Sequence, residues 1–268
     1  MYGILKEKKI LVMGLRNKWS IAWGITKRLY EEGAELAFTY FSDREKNGIC
    51  ELLESLDDSG QTSLTPRADV SFPLLKCDVG VDSEIDDVFN KLGKIWGSLD
   101  GVVHAIANAR SEDLKNDFIL TPRDGFAHAL DISAYTLIYI SRKASELMTN
   151  GGSILTLTYM GSERVFPGYN VMGVAKAALE STARYLAHSL GARGVRVNAI
   201  SSGPIKTLSA KAVKNFSSIM TVVDEKAPLK RGVDAMEVGG AALYLLSDLS
   251  SAVTGEVHYV DCGYNIMG

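Results

Sequence analysis

The sequence is short of several things, and each shortage narrows the possibilities. Its three cysteines, Cys50, Cys77 and Cys262, are scattered and lack metal-ligand spacing. They read as buried or free thiols in a reducing compartment, and no metal is expected. No apolar run is long enough to span a bilayer, so no membrane partner is expected. After Lys6-Glu7-Lys8-Lys9 only Ile10-Leu11-Val12-Met13 precedes Gly14, too little for the core of a secretion signal. The cytoplasm is the expected location. A net charge of −3 offers nothing to nucleic acid or an anionic surface. No repeat of 20–50 residues stands out. His104, His128, His188 and His258 form no constellation with a nucleophile or metal ligands, and His104 reads as a core or second-layer histidine.

What is present is rhythm. The 268 residues are 46% apolar and 23% charged, enough for one large domain with a substantial core. Short apolar runs alternate with longer amphipathic ones. Strands are predicted at Ile10–Met13, Glu35–Tyr40, Leu74–Cys77, Gly101–Ala105, Ser153–Thr158, Val195–Ile200 and Val257–Val260. Helices are predicted over Ile21–Glu32, Glu45–Leu56, about Ser83–Trp96, within Arg123–Thr149, from Tyr169 to about Gly191, and over Ala235–Ser247. This alternation predicts an α/β fold: a single Rossmann-like doubly wound domain over residues 1–268, with a seven-stranded parallel sheet and helices on both faces. Residues 57–72 are polar, contain Gly60 and Pro66, and read as a surface insertion. The connection after Gly203 is long and only weakly helical around Leu208–Met220, the pattern of a substrate-binding loop over 203–220.

The stretch from Thr158 to Lys176 holds two tyrosines and a lysine between a strand and a helix. Tyr169 and Lys176 are seven residues apart, about 20° short of two helical turns, so they share a face. A phenol beside an ammonium can hydrogen-bond a substrate oxygen and stabilise negative charge there, and the cation favours the ionised phenol. A surface Tyr and a solvated Lys would show the same spacing.

Ligands of doubly wound sheets bind beyond the carboxyl ends of the strands. After the first strand, Gly14 to Gly24 departs from G-x-G-x-x-G, and Ser20 stands where a helix N-cap or phosphate donor would sit. After the third strand, Asp78 is either an acceptor for an adenine amino group or the N-cap of the next helix. After the fourth, small residues from Ala105 to Ala109 permit close approach of a ligand.

Assembled, these stretches resemble the short-chain dehydrogenase/reductase superfamily, and more closely the NADH-dependent enoyl-acyl-carrier-protein reductases of bacterial fatty-acid synthesis. The resemblance rests on Gly14…Ser20-Ile21-Ala22-Trp23-Gly24, Glu31–Tyr40, Tyr169-Asn170-Val171-Met172-Gly173-Val174-Ala175-Lys176, Gly194–Leu208 and Gly255–Asp261. One spacing is diagnostic. Ordinary superfamily members carry Tyr four residues before the Lys and Ser thirteen before that Tyr, where this chain has Met172 and Tyr159. The tyrosine stands instead at Tyr169.

The resemblance implies hydride transfer from NADH to the β-carbon of a trans-2-enoyl thioester on acyl-carrier protein. It implies Tyr159, Tyr169 and Lys176 as catalytic residues, and Ala109, Tyr159 and Tyr169 beside the substrate. It implies cofactor contacts at Gly14, Ser20, Ile21, Asp78, Val79, Ile106, Lys176, Ile205, Thr207 and Ser209, and a homotetramer. Two positions depart from the pattern. Phe41 replaces a polar residue near the adenosine ribose, and Ala107 adds a methyl in the loop after strand four. NADH is expected over NADPH because Phe41 and Ser42 are uncharged and Asp43 repels a phosphate, although Arg44, Arg16 or Lys18 would oppose that preference if aimed inward. The rival readings are a 3-oxoacyl or carbonyl reductase, against which Met172 and Tyr159 argue, and a catalytically silent nucleotide sensor.

Overall fold

Burial along the first strand shows how the layers form. In β1 (Lys9–Met13), Ile10 and Val12 enter one apolar cluster while Leu11 and Met13 enter another. A strand buried on both faces belongs inside a sheet covered by helices on both sides. The computed structural model describes residues 3–58, 72–207 and 216–268. The other strands are β2 (Glu35–Tyr40), β3 (Leu74–Lys76), β4 (Gly101–His104), β5 (Gly152–Thr158), β6 (Val195–Ser202) and β7 (Val257–Val260). All pair in parallel, in the order β3-β2-β1-β4-β5-β6-β7.

The helices are α1 (Ile21–Glu31), α2 (Asp43–Asp58), α3 (Asp82–Trp96), α4 (Ser111–Lys115), α5 (Arg123–Leu130), α6 (Thr136–Leu147), α7 (Asn170–Gly191), α8 (Phe216–Lys226) and α9 (Ala235–Leu246). One face is covered by α3, α6 and α7, through residues such as Phe89, Ile140 and Leu179. The other is covered by α1, α2 and α9, through Ile25, Leu53 and Leu245. Helices α1 and α9 meet at glycine: a Cβ on Gly24 would lie 2.1 Å from the Ala235 carbonyl oxygen. Helix α9 starts with a capping box, in which Asp234 accepts from the Glu237 N–H at 2.9 Å and Glu237 accepts from the Asp234 N–H at 3.0 Å.

Strand order reverses between β1 and β4, which opens a crevice at their carboxyl ends. Gly14, in the turn after β1, has φ +97°, and a Cβ there would sit 2.2 Å from the Ala105 carbonyl oxygen after β4. Only glycine meets both the left-handed backbone and the close approach.

The long helix expected within Arg123–Thr149 is interrupted. Helix α5 passes through a π-helical stretch, Asp131–Tyr135, into α6. Side chains from this stretch and the residue after it serve other parts of the crevice. Ser133 Oγ accepts from the Asn108 N–H at 3.1 Å, and Thr136 Oγ1 lies 3.0 Å from His104 Nε2. The short α4 has no counterpart in the sequence pattern. Of the 57–72 segment, only the end of α2 and Phe72 are described; Phe72 packs on the rings of Tyr30 and Phe38. The middle of the 203–220 segment, including Ser209, lies outside the described residues, while α8 runs on to Lys226. Among the described residues no helix is long and apolar enough to cross a membrane.

Candidate active site

A cleft of about 730 Å³ opens at the carboxyl ends of the strands. Its lining includes Gly14, Ser20, Ile21, Asp78, Val79, Ile106, Ala109, Tyr159, Tyr169, Lys176, Ile205 and Thr207, so one concave surface gathers every candidate residue that is described. A smaller hollow of about 270 Å³ beside Arg231 and Cys262 contains none of them.

Tyr169 is positioned by the entrance to α7 rather than by regular helical spacing. It is the N-cap residue, and the next residue, Asn170, has φ +39°. Ideal periodicity therefore does not extend back to Tyr169. Asn170 is held in this uncommon conformation because its Nδ2 donates to the carbonyls of Asn116 at 2.7 Å and Leu114 at 3.2 Å, both at the end of α4. The Tyr169 ring lies against Gly161, where a Cβ would come within 2.5 Å of it. It meets the Tyr159 ring edge-on at 5.1 Å, and Tyr159 also contacts Phe166 at 5.0 Å. Arg164, in the same loop, donates to the carbonyls of Met267 at 2.7 Å and Asn265 at 2.9 Å, tying the loop to the chain's last residues.

Lys176 is buried, and its Nζ donates to the Leu157 carbonyl at 2.8 Å. Burial lowers its pKa to about 8, with Glu180 one turn later pulling the other way. The phenols shift oppositely. Burial pushes Tyr169 far up, with Tyr159 and Glu180 adding to the effect, and burial also raises Tyr159. The expectation that Lys176 would favour an ionised phenol is thus corrected. Burial, Tyr159 and Glu180 all raise the phenol, and Tyr169 remains a neutral hydrogen-bond donor.

His104 is fully buried, with Nδ1 2.9 Å from Thr156 Oγ1 and Nε2 3.0 Å from Thr136 Oγ1. Burial, helped by the Lys176 charge, lowers its pKa to about 3, so it is a neutral structural group. Met172, four residues before Lys176, lines the cleft and has no proton to give.

At the β1 end of the cleft, Ser20 is the N-cap of α1, yet its hydroxyl donates backward to the Asn17 carbonyl at 2.7 Å. No side chain caps the first turn of α1, which leaves that helix end directed at the cleft for an anion. Asp78 does not cap α3, whose N-cap is Val81; its Oδ1 accepts from the Gly80 N–H at 2.9 Å in a local turn, and the residue borders the cleft. Phe41 and Ala107 also line the cleft. So does Arg16, whereas Arg44 is exposed and outside the lining.

Several lining residues carry no motif in the sequence. His128, left without assignment, holds Asn108 Oδ1 at 2.8 Å, and Leu114, Ile132, Phe166 and Ile219 supply apolar wall. All but Phe166 lie in helical segments, Leu114 in α4, His128 in α5, Ile132 in the π-helical stretch and Ile219 in α8, and reach the cleft only through the tertiary fold.

A family model described as enoyl-(acyl carrier protein) reductase matches residues 14–265. The chain is 49% identical over 265 residues to the enoyl-acyl-carrier-protein reductase (NADH) of Bacillus cereus, covering 99% of each chain. Among solved structures, it is similar to the Bacillus cereus enoyl-acyl carrier protein reductase with NADP+ and indole naphthyridinone, at TM-score 0.92, 48% identity and 99% of each chain. It is also similar to the Anaplasma phagocytophilum enoyl-acyl-carrier-protein reductase in complex with NAD, at TM-score 0.91 and 45% identity, covering 99% of this chain and 96% of that one.

Proposed function

The chain belongs to the enoyl-(acyl carrier protein) reductase family, and we infer that its cleft is where an enoyl-acyl-carrier-protein thioester meets a reduced nicotinamide dinucleotide. The enzyme reduces the trans-2 double bond of that thioester in fatty-acid synthesis.

The residues present fit the dinucleotide. The uncapped start of α1 beside Gly14 suits a diphosphate, Asp78 suits an adenine amino group, and Lys176 suits the nicotinamide ribose. When bound, the cofactor supplies hydride to the substrate β-carbon. Tyr169 donates its proton as a hydrogen bond to the thioester oxygen, where negative charge develops. Its raised pKa suits this task, because the phenol is still protonated when the substrate arrives. Lys176 adds positive charge from the α7 side, and Tyr159 flanks the Tyr169 ring and borders the substrate with Ala109. Ile21, Val79, Ile106, Ile205 and Thr207 complete the walls around the dinucleotide.

The observation that carries this reading is the replacement of a proton donor by Met172 while Tyr169 and Lys176 share the cleft. Oxidation of NADH, followed by absorbance with crotonyl and longer enoyl thioesters, tests it. Turnover of a 3-oxoacyl thioester without turnover of any enoyl thioester refutes it. The protein acts as a homotetramer, a reading supported by the exposed apolar side chains Phe126, Val174 and Tyr185 on α5 and α7.

A further inference from the structure

The cleft's ribose end is guarded by an ion pair that no local sequence pattern reveals. Arg16, in the turn after β1, places Nε 2.9 Å from Glu45 Oε1 in the first turn of α2. The other carboxylate oxygen, Oε2, accepts from the Phe41 backbone N–H at 2.9 Å, just past the end of β2. Arg16, Tyr40, Phe41 and Glu45 all line the cleft. The Ser42-Asp43-Arg44-Glu45 run reads as a helix capping box, and Ser42 Oγ does accept from the Glu45 N–H at 3.4 Å. In a reciprocal box, however, the Glu45 carboxylate would return to Ser42 N–H. Here it reaches one residue further back and retains an oxygen for Arg16.

We propose that Glu45 sets the cofactor preference of this enzyme by holding Arg16 and the Phe41 N–H out of reach of a 2′-phosphate. The proposal rests on the dinucleotide reading above, and its chemistry follows from the geometry. The adenosine ribose of a doubly wound sheet lies at the end of the second strand. A 2′-phosphate there needs a guanidinium and backbone N–H donors. Glu45 engages one donor of each kind and adds a negative charge. A free 2′-hydroxyl can instead donate to the carboxylate, which has further lone pairs available. Glu45 has a side chain only 18% exposed, against 60% for Arg16, so the carboxylate is the fixed member and the guanidinium the one that would move. Other charges bear on the same end of the cleft. Lys46 lies over the Tyr40 ring at 5.7 Å, while Asp43 and Arg44 are exposed. Arg16 is largely exposed, so its pairing with Glu45 adds little to folding, and Glu45→Gln keeps a side-chain oxygen for the Phe41 N–H; the variant should leave the protein intact.

The test is fluorescence titration of the full-length protein with NADH and with NADPH, for the parent, Glu45→Gln and Glu45→Gln/Arg16→Ala. The parent is expected to bind NADH at least tenfold more tightly. Glu45→Gln should narrow that ratio at least tenfold, chiefly by tightening NADPH, and the added Arg16→Ala should abolish the gain. An unchanged ratio in Glu45→Gln overturns the proposal. So does a gain that survives loss of Arg16, which would move the phosphate site to Lys46. A parent that binds both cofactors but prefers NADPH overturns it as well. A parent that binds neither dinucleotide overturns the functional reading itself.

Discussion

Thr158 donates its hydroxyl to Glu180 across 2.6 Å, with both side chains buried. The preceding residue, Leu157, takes the Lys176 ammonium on its carbonyl at 2.8 Å. Two successive residues at the end of β5 thus anchor two positions one turn apart on α7. The Glu180 charge is the group that raises the Lys176 pKa against the burial that holds it near 8. Nearby, burial raises the Tyr159 and Tyr169 phenols and lowers His104, so all three stay uncharged, and burial raises Tyr259 as well, with Glu180 adding to it. Glu180→Gln should therefore move the alkaline loss of NADH affinity to lower pH, while Thr158→Val, which keeps the charge, moves it less. An alkaline limb that stays in place in Glu180→Gln removes Glu180 from this role. The depressed Lys176 pKa also has a folding consequence. Between about 8 and 10.5 the unfolded chain binds more protons here, so this group's contribution to stability rises with pH across that window.

Tyr169→Phe should lower kcat by about 10²–10³, the usual loss for one donor to a developing oxyanion. NADH affinity should change little, because in the proposed role the hydroxyl acts on charge that appears only during reaction. Steady-state kinetics on an enoyl thioester, paired with a cofactor titration, separates the two. A variant with parental kcat would exclude Tyr169 as the donor.

His104 should not titrate between about pH 5 and 8, the range in which a free imidazole does. Ring-proton NMR checks this directly. Its pKa is depressed from 6.5 to about 3, so its contribution to stability is fully present above 6.5 and is lost as pH falls toward 3. The full swing is on the order of 4–5 kcal/mol. A His104→Gln variant should be less stable at neutral pH and lose less on acidification. A ring signal that titrates near 6.5 would contradict the buried, neutral assignment.

Gly24→Ala should be strongly destabilising for a single methyl, because the new carbon would meet the Ala235 carbonyl at 2.1 Å. Backbone oxygen cannot rotate aside, so α1 and α9 must move apart. Overpacking of this kind costs about 1–3 kcal/mol or more, a fall in Tm of about 2–4 °C per kcal/mol in a chain of this size. Thermal unfolding at parental Tm would show that the two helices adjust freely.

Light scattering should give a mass four times the 29.0 kDa chain. A species at 29.0 kDa would remove the tetramer and leave Phe126, Val174 and Tyr185 as solvent-facing residues.

Much of this architecture was legible because it is written in local pattern. β2 runs Glu35–Tyr40 and β7 runs Val257–Val260, as apolar runs bounded by turn residues predict. The long helix over Arg123–Thr149 was less legible. Its π-helical stretch is stabilised by tertiary partners, Ser133 with Asn108 and Thr136 with His104, which no periodicity reports. Ser20, by contrast, stands in sequence where an N-cap or a phosphate donor would sit and is the N-cap residue, but its hydroxyl donates to the Asn17 carbonyl.

The sequence by itself determined the strand–helix alternation, the parallel sheet that follows from it, and the Tyr169–Lys176 spacing with Met172 between. These depend on backbone preferences and side-chain periods that act over a few residues. Only the tertiary structure decided the charge states and directions of the side chains. Tyr169 points into the cleft because Asn170 is held to α4, and it remains a neutral phenol because enclosure raises its pKa. Arg16 meets Glu45 because the order of the sheet brings the turn after β1 beside the start of α2. Desolvation and long-range hydrogen bonding exist only once distant segments have been brought together, which is why no reading of neighbouring residues could supply them.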